Sequence, residues 1–206
     1  MVVVIKTQFR NFMKIKIVDG FKIRNTLDND FCVIGDRSIY PYIKQDEVWF
    51  EKIFLPEKAY LLSMFKKKKQ LVRKVGYEKA KKILRSAMKG KDLGEIRIRL
   101  LQKKLIGEGK KGVVKIFLVK GAEVRKFFDP DFCFGGHWLV YDYIPKGEIW
   151  IDDVAEKQER KYIIIHEVYE VGLMQRGKSY NNAHDFATAA EKEAKRNNGI
   201  AKYLKD

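Results

Sequence analysis

Cysteine and long apolar runs are both scarce in this sequence of 206 residues. Cys32 and Cys133 are its two cysteines, which excludes a framework of several disulfides and a zinc site built from four cysteines. Every apolar run is far shorter than the roughly 20 residues that a membrane-spanning helix needs. The opening MVVVIK lacks the long apolar stretch and the small-residue cleavage site of a secretory signal. The sequence therefore predicts a cytoplasmic protein with no membrane partner.

Acidic residues are also few: 27 Asp and Glu stand against 43 Lys and Arg, a net charge of +16. The excess lies in residues 1–105, with 26 basic and 11 acidic side chains (+15), whereas residues 106–206 have 17 and 16 (+1). This asymmetry favours an anionic partner such as nucleic acid for the first half. A lysine-rich solvated surface, as in thermophile proteins, explains the same charge without any partner.

An internal repeat divides the chain. Residues 14–50 align with residues 115–151 without a gap, at an offset of 101, and 15 of the 37 positions are identical. The clearest blocks pair DNDFCVIG with DPDFCFGG and YPYIKQDEVWF with YDYIPKGEIWI. Unrelated segments would share about two such matches, so the sequence predicts a tandem duplication. We expect a strongly basic, degenerate first repeat in residues 1–105 and a second repeat in residues 106–206.

Both repeats show the same order of patterns, which predicts an α+β fold. Each begins with an apolar run, continues through a DxDFC segment, and reaches a short EVWFE or EIWID strand after a turn, as in a hairpin. We therefore expect a small antiparallel sheet followed by a helical hairpin in each copy. The predicted helices cover residues 56–75, 77–88, 155–176 and 179–196. Residues 94–105 are predicted to be a connecting helix, although IRIRL also fits a strand.

The two repeats differ in their histidines, which indicates what one copy does alone. All three histidines, His137, His166 and His184, lie in the second repeat. Asp36 stands opposite His137, Lys81 stands opposite His184, and FKKKK replaces HEVYE. Because the first repeat keeps the shared fold residues without these groups, the fold itself does not require them. They are the candidates for a function of the second repeat.

The segment IIIHEVYE predicts a metal site. His166 and Glu170 are four residues apart, so on a helix both side chains leave the same face. Imidazole and carboxylate are ligands that zinc accepts. His184, on the second helix of the hairpin, is the expected third ligand. Glu167 is then placed to take a proton from a water at the open coordination position. Alternatively, His166 and Glu170 form an ordinary pair on a solvated helix face.

Two further residues are candidates for this site. Glu191 lies seven residues after His184, hence on the same helix face, and is expected either to hold an imidazole by a hydrogen bond or to be the third ligand itself. His137, in GGHW, is expected either to belong to the site in one of these ways or to be a polar residue on an exposed strand.

Residues 132–196 resemble the minimal core of zincin-like metallopeptidases. The resemblance rests on IIIHEVYE, which follows the strand EIWID and precedes a helix with YNNAHDFATAAEKE. It implies a zinc-dependent hydrolase acting on a peptide or protein, with His166 as a ligand and Glu167 as general base. Glu170 stands where the family usually has a second histidine. One zinc ion per chain, in the second repeat, is therefore expected.

The first repeat has a dense group of basic residues on the helix that corresponds to the predicted metal helix. A phosphate-binding surface without base specificity is one interpretation of this group, and solvated lysines are the other. Its members are Lys66, Lys67, Lys68, Lys69, Arg73 and Lys81. Two functions thus follow from the sequence: a metal-dependent hydrolase with one intact and one degenerate copy, or a basic nucleic-acid-binding protein whose HExxE helix is structural.

Overall fold

The computed structural model describes residues 13–89, 103–108 and 114–197. The chain divides into two compact units, with the division between Ser86 and Ala87. Each unit combines helices with one small sheet, as expected of the α+β class. Among the described residues, no helix combines the length and the apolar character required to cross a membrane.

The first unit has a three-stranded sheet with the order β1-β3-β2. Strand β3 pairs in parallel with β1 and antiparallel with β2. The elements in chain order are β1 (Lys14–Val18), α1 (Gly20–Thr26), β2 (Ile34–Asp36), β3 (Glu47–Glu51), a 3-10 helix (Lys52–Glu57), α2 (Lys58–Val75) and α3 (Tyr77–Lys89).

The second unit has a four-stranded sheet with the order β4-β5-β7-β6. Strand β7 pairs in parallel with β5 and antiparallel with β6, and β4 pairs antiparallel with β5. The elements in chain order are β4 (Lys104–Glu108), β5 (Lys115–Val119), α4 (Gly121–Phe127), β6 (Gly135–His137), β7 (Glu148–Asp152), α5 (Lys157–Gln175) and α6 (Tyr180–Asn197).

The strand registers of the two units coincide at the sequence offset of 101. Lys14 is opposite Glu47 in the first unit, and Lys115 is opposite Glu148 in the second. The antiparallel pairs agree in the same way, since residues 34–36 face 48–50 and residues 135–137 face 149–151. The aligned sequence segments therefore adopt the same local structure in both units.

The expectation of purely antiparallel sheets is wrong for one strand pair in each unit. The first strand of each repeat runs parallel to the EVWFE or EIWID strand. A parallel pair needs a long crossover connection, and residues 19–46 and 120–147 supply it. Each crossover begins with a short helix, α1 or α4, which the sequence analysis missed. The strand that follows each DxDFC segment, β2 or β6, pairs antiparallel with β3 or β7, in agreement with the predicted hairpin.

An arginine fastens each short helix to its sheet. Arg24 donates two hydrogen bonds to the carboxylate of Glu51, at 2.9 and 2.7 Å, and Arg125 pairs with Asp152 in the second unit. Gly20 and Gly121 lie against these carboxylates so closely that an added Cβ would stand 2.1 or 2.0 Å from a carboxyl atom. The bidentate pair of Arg24 with Glu51 fixes the orientation of α1 as well as its position.

Alternation along β6 decides what faces α5. Gly135 and His137 lie opposite Ile151 and Ile149, two residues of the buried cluster that packs against Val171 of α5. Directly opposite residues share a face of the sheet, so His137 projects toward the helix with the HExxE segment.

The residue before the strand, Phe134, has a φ of 58°, and its counterpart Val33 has 51°.

Residues 90–102, which include most of the predicted connecting helix, lie outside the described residues. The last part of that prediction is wrong, because Lys104 and Leu105 belong to strand β4 and pair with β5. The alternating segment IRIRL, residues 96–100, lies outside the described residues.

Candidate metal centre

Helices α5 and α6 pack together through a row of small residues. Ala183, Ala187, Ala190 and Ala194 are all buried on one face of α6, at the three- and four-residue spacing of a helix. Small side chains let two helix backbones approach closely. Tyr162 and Ile165 of α5 pack against Ala194. This packing places His184 of α6 beside the HExxE segment.

Three predicted ligands converge between these helices. Nε2 of His166 lies 3.1 Å from Nδ1 of His184, which in turn lies 2.9 Å from Oε2 of Glu170. The third edge of this triangle, from His166 to Glu170, is 3.4 Å. Ligands placed tetrahedrally at about 2.0–2.2 Å from zinc are about 3.3–3.6 Å apart. A small outward movement of the three atoms would therefore accommodate the ion.

The three atoms of the triangle need a proton or a metal ion between them. A carboxylate oxygen and an unprotonated ring nitrogen offer only lone pairs, which repel at 2.9–3.4 Å. The ring N–H of a histidine supplies such a proton. Metal ligands must be deprotonated, so an ion would replace that proton.

His166 is held from its other nitrogen by a chain of charged groups. Nδ1 lies 3.1 Å from Oε2 of Glu191, and the other oxygen of Glu191 lies 2.9 Å from Nζ of Lys195. Lys195 also contacts Glu159 of α5 at 3.0 Å. A histidine that donates from Nδ1 to a carboxylate presents Nε2 to a metal in a fixed direction. Glu191 thus contacts the nitrogen of His166 that does not belong to the triangle.

Glu170 connects the two histidines on either side of it. Its Oε2 faces His184, whereas its Oε1 lies 2.8 Å from Nε2 of His137. The His137 side chain is fully buried, so the interpretation of this residue as a polar group on an exposed strand is wrong. His137 joins the site from the sheet, through the carboxylate of Glu170.

The charges around the triangle determine the ionisation of its members. Burial disfavours the cation of His166, yet hydrogen bonds to Glu170 and Glu191 outweigh it and raise the pKa of His166 to about 10. Burial also opposes the carboxylate of Glu170, but hydrogen bonds from His137, His166 and His184 hold its pKa well below its usual value. The site is therefore built to keep Glu170 ionised.

Glu167 lies on the sheet side of α5, away from solvent. An added Cβ on Gly135 would stand 2.6 Å from its Oε1, which shows how closely the carboxyl group approaches strand β6. Glu167, His137 and Glu170 offer ligand atoms within 4.8 Å of one another. Burial raises the pKa of Glu167 to about 7. A carboxyl group with a pKa near neutrality is suited to take up and release a proton.

The first unit has a salt bridge where the second has the contact between His137 and Glu170. Asp36, the counterpart of His137, pairs with Lys69, the counterpart of Glu170. Phe65, which is buried, stands at the position of His166. The strand-to-helix contact is kept in both units, but its acidic group lies on the strand in the first and on the helix in the second.

The predicted phosphate-binding residues of the first unit are in different environments. Lys69 pairs with Asp36, and Nζ of Lys68 lies 4.8 Å from the centre of the Tyr77 ring. Lys66, Lys67 and Arg73 are exposed, whereas Lys81 is half-buried. The nucleic-acid-binding alternative stays a prediction, with the exposed residues as its candidates.

The contact between His137 and Glu170 was beyond sequence reasoning, although both residues had been singled out. Nothing in a linear pattern shows which strand residue will lie under a given helix turn. One signal for this contact is present in the sequence. Asp36 aligns with His137 and Lys69 aligns with Glu170, so the two contacting positions change together between the repeats.

Comparison with family models, with curated proteins and with solved structures finds no significant match to this chain.

Proposed function

We propose that the second unit is a metal-dependent hydrolase with a zincin-like site, in which His166, Glu170 and His184 hold one zinc ion. The observation that carries the proposal is the triangle of donor atoms with edges of 2.9, 3.1 and 3.4 Å. Two histidines and one glutamate form a ligand set of hydrolytic zinc sites. When bound, zinc would polarise a substrate carbonyl and make a nucleophilic water available at neutral pH.

The protein's own residues have separate roles in this proposal. Glu191 orients His166 through Nδ1, and Lys195 keeps Glu191 ionised by its charge. Glu167 takes the proton of the attacking water and passes it to the leaving group, for which its buried position beside the ligands and its pKa of about 7 are suited. An amide bond of a peptide or protein is the proposed substrate, by the resemblance of the HExxE segment to zincin-like peptidases.

The two units are proposed to be copies of one ancestral unit, of which only the second kept the site. Support comes from the shared strand registers, the matching Arg24–Glu51 and Arg125–Asp152 pairs, and the positive φ of Val33 and Phe134 at one aligned position. The first copy has Phe65 and Lys69 in place of His166 and Glu170.

Metal analysis of the full chain tests the proposal. The wild-type protein, which has both His166 and His184, is purified without chelators, stripped of bound metal, and dialysed against zinc. It should then bind one zinc ion per chain. His184→Gln should reduce this to a small fraction because a ligand is lost. Asp185→Asn is the matched control, since Asp185 is the exposed neighbour of His184, and it should bind zinc as the wild type does.

Hydrolysis is tested on a mixture of unstructured peptides, with cleavage followed by mass spectrometry. The zinc-loaded wild type should cleave, whereas Glu167→Gln should keep the ion and lose about 10²–10⁴-fold in rate, as expected when a general base is removed. A wild-type chain that binds no zinc would contradict the metal site. Zinc binding without cleavage would contradict the hydrolase and leave the metal site in place.

A further inference from the structure

His137 is a buried histidine whose two nitrogens both have partners. Its Nε2 lies 2.8 Å from Oε1 of Glu170, and its Nδ1 lies 3.3 Å from the backbone nitrogen of Leu139. The side chain is fully buried.

The partner at Nδ1 determines the tautomer. A backbone N–H can only donate a hydrogen bond, so Nδ1 of His137 must accept it with its lone pair. The ring proton then lies on Nε2, which donates to Oε1 of Glu170. This assignment follows from the hydrogen-bond network. With a proton on Nε2 and a hydrogen bond at Nδ1, neither nitrogen of His137 is free to bind a metal.

We infer that His137 is a positioning residue: it holds Oε1 of Glu170 from the sheet so that Oε2 is presented to the metal between His166 and His184. The inference rests on the proposed metal site and concerns how that site is assembled. A carboxylate can rotate and can bind a metal through either oxygen or both. Because His137 occupies one oxygen, Glu170 is directed to bind through the other alone.

The same cluster of groups also fits a different assignment, a second metal ion held by His137, Glu167 and Glu170. That ion would need the lone pair of Nε2 on His137. The N–H of Leu139 would then have to donate to an imidazole without any ring proton, which is strongly disfavoured at neutral pH. The geometry thus favours one ion and a histidine that orients its carboxylate ligand.

The first unit supplies independent support. Asp36 and Lys69 connect the same strand to the same helix position with the acidic group on the strand. Such a contact serves the fold alone, because an ammonium group on the helix cannot bind a metal. In the second unit the carboxylate lies on the helix and the hydrogen-bond donor, the imidazole of His137, lies on the strand. This polarity is the one that leaves a carboxylate oxygen free for an ion.

The test compares three variants of the full chain by zinc titration against a competing chelator. His137→Leu fills the space but cannot donate a hydrogen bond, and we expect zinc affinity to fall about 10–100-fold, as for other partners of metal ligands. His137→Gln can accept from Leu139 and donate to Glu170, and should restore affinity to within a few-fold of wild type. Asp36→Leu breaks the corresponding contact of the first unit and is the matched control.

Cobalt(II) provides a readout that a loss of stability alone would not change. His137→Leu should alter the visible absorption of the cobalt-loaded protein, because Glu170 would bind in a different mode, whereas Asp36→Leu should not. Equal zinc affinity and equal cobalt spectra for wild type and His137→Leu would overturn the inference while leaving the metal site intact. A wild type that binds neither ion would instead overturn the proposed function.

Discussion

Nε2 of His137 and Oε1 of Glu170 lie 2.8 Å apart, and the two side chains are 0% and 4% exposed. This contact joins β6 to α5 at the point where α5 also meets α6. Strand β6, helix α5 and helix α6 therefore each contribute one histidine to a single carboxylate. Such a site depends on the packing of all three elements.

Zinc should stabilise the folded protein. An ion that binds the native state alone at 100 times its dissociation constant raises the free energy of unfolding by about 2.7 kcal/mol. Thermal unfolding with and without zinc should show an upward shift of the melting temperature for the wild type. His184→Gln should show little shift, and an equal shift in both proteins would argue against His184 as a ligand.

Moving the acidic group of the contact between β6 and α5 from the helix to the strand should abolish metal binding without preventing the protein from folding. The double variant His137→Asp with Glu170→Lys copies the arrangement of Asp36 and Lys69. We expect it to fold, because the first unit uses that pair in the same place, and to bind no zinc, because an ammonium group replaces a ligand. The control is the reciprocal exchange, Asp36→His with Lys69→Glu, which should gain no zinc since Phe65 stands where a ligand is needed. Undiminished zinc binding by the first double variant would contradict the ligand assignment.

Gly135 should be intolerant of even the smallest side chain. A Cβ there would stand 2.6 Å from Oε1 of Glu167 and 2.9 Å from Cγ2 of Ile163. Gly135→Ala should therefore lower the free energy of unfolding by about 1–3 kcal/mol, the usual cost of overpacking. Gly172→Ala is the matched control in α5, because its Cβ would meet nothing closer than 3.7 Å. Because Gly172→Ala replaces a glycine in the interior of a helix, it should raise the free energy of unfolding by about 0.5–1 kcal/mol. Urea unfolding monitored by circular dichroism measures both changes, and equal stability of the two variants would contradict the prediction.

The salt bridge of the first unit should give a pH-dependent contribution to stability. Burial by itself raises the pKa of Asp36, but Lys69 and Ser38 outweigh it and lower the pKa below the ordinary aspartate value of 3.8. A lowered pKa means that the stabilisation is present above the unfolded-state value and is lost as the pH falls through the folded-state value. Asp36→Asn should thus be about 1–3 kcal/mol less stable than wild type at pH 7. At pH 2–3 this difference should shrink, and hydrogen exchange at the backbone of Ile34–Asp36 localises it. A difference that stays constant between pH 7 and pH 2 would contradict the assignment.

The sequence was sufficient for features that depend on local pattern. Helical spacing predicted helices α2, α3, α5 and α6 to within two residues at every end, because their apolar positions repeat with the period of a helix. The structure also brings His166, Glu170 and His184 together between α5 and α6, as the four-residue spacing and the helical hairpin predict.

Features that depend on contacts between distant elements were not predictable. The parallel pairing of β5 with β7 needs a crossover connection, which begins with α4. The seven residues of α4 are too few to show a clear helical period in the sequence. The hydrogen bond from His137 to Glu170 depends on the register of β6 against β7, and a shift of one residue would turn His137 to the other face of the sheet. Repeat comparison identified these residues as special to the second unit, but it did not show that they touch.

Exposure differs sharply among the three proposed ligands. The side chain of His184 is 31% exposed, whereas those of His166 and Glu170 are 13% and 4% exposed. An ion would therefore arrive and leave past His184, with the ring of Tyr180 beside it at 5.5 Å between centroids. Rotation of this one imidazole, on the outer part of α6, would then set the rate at which a chelator removes the metal. The equilibrium affinity would depend on all three ligands, whereas the exchange rate would depend on the most exposed of them. Substitution of Tyr180, which lies beside that ligand and is exposed, would therefore change the speed of metal loss more than its extent.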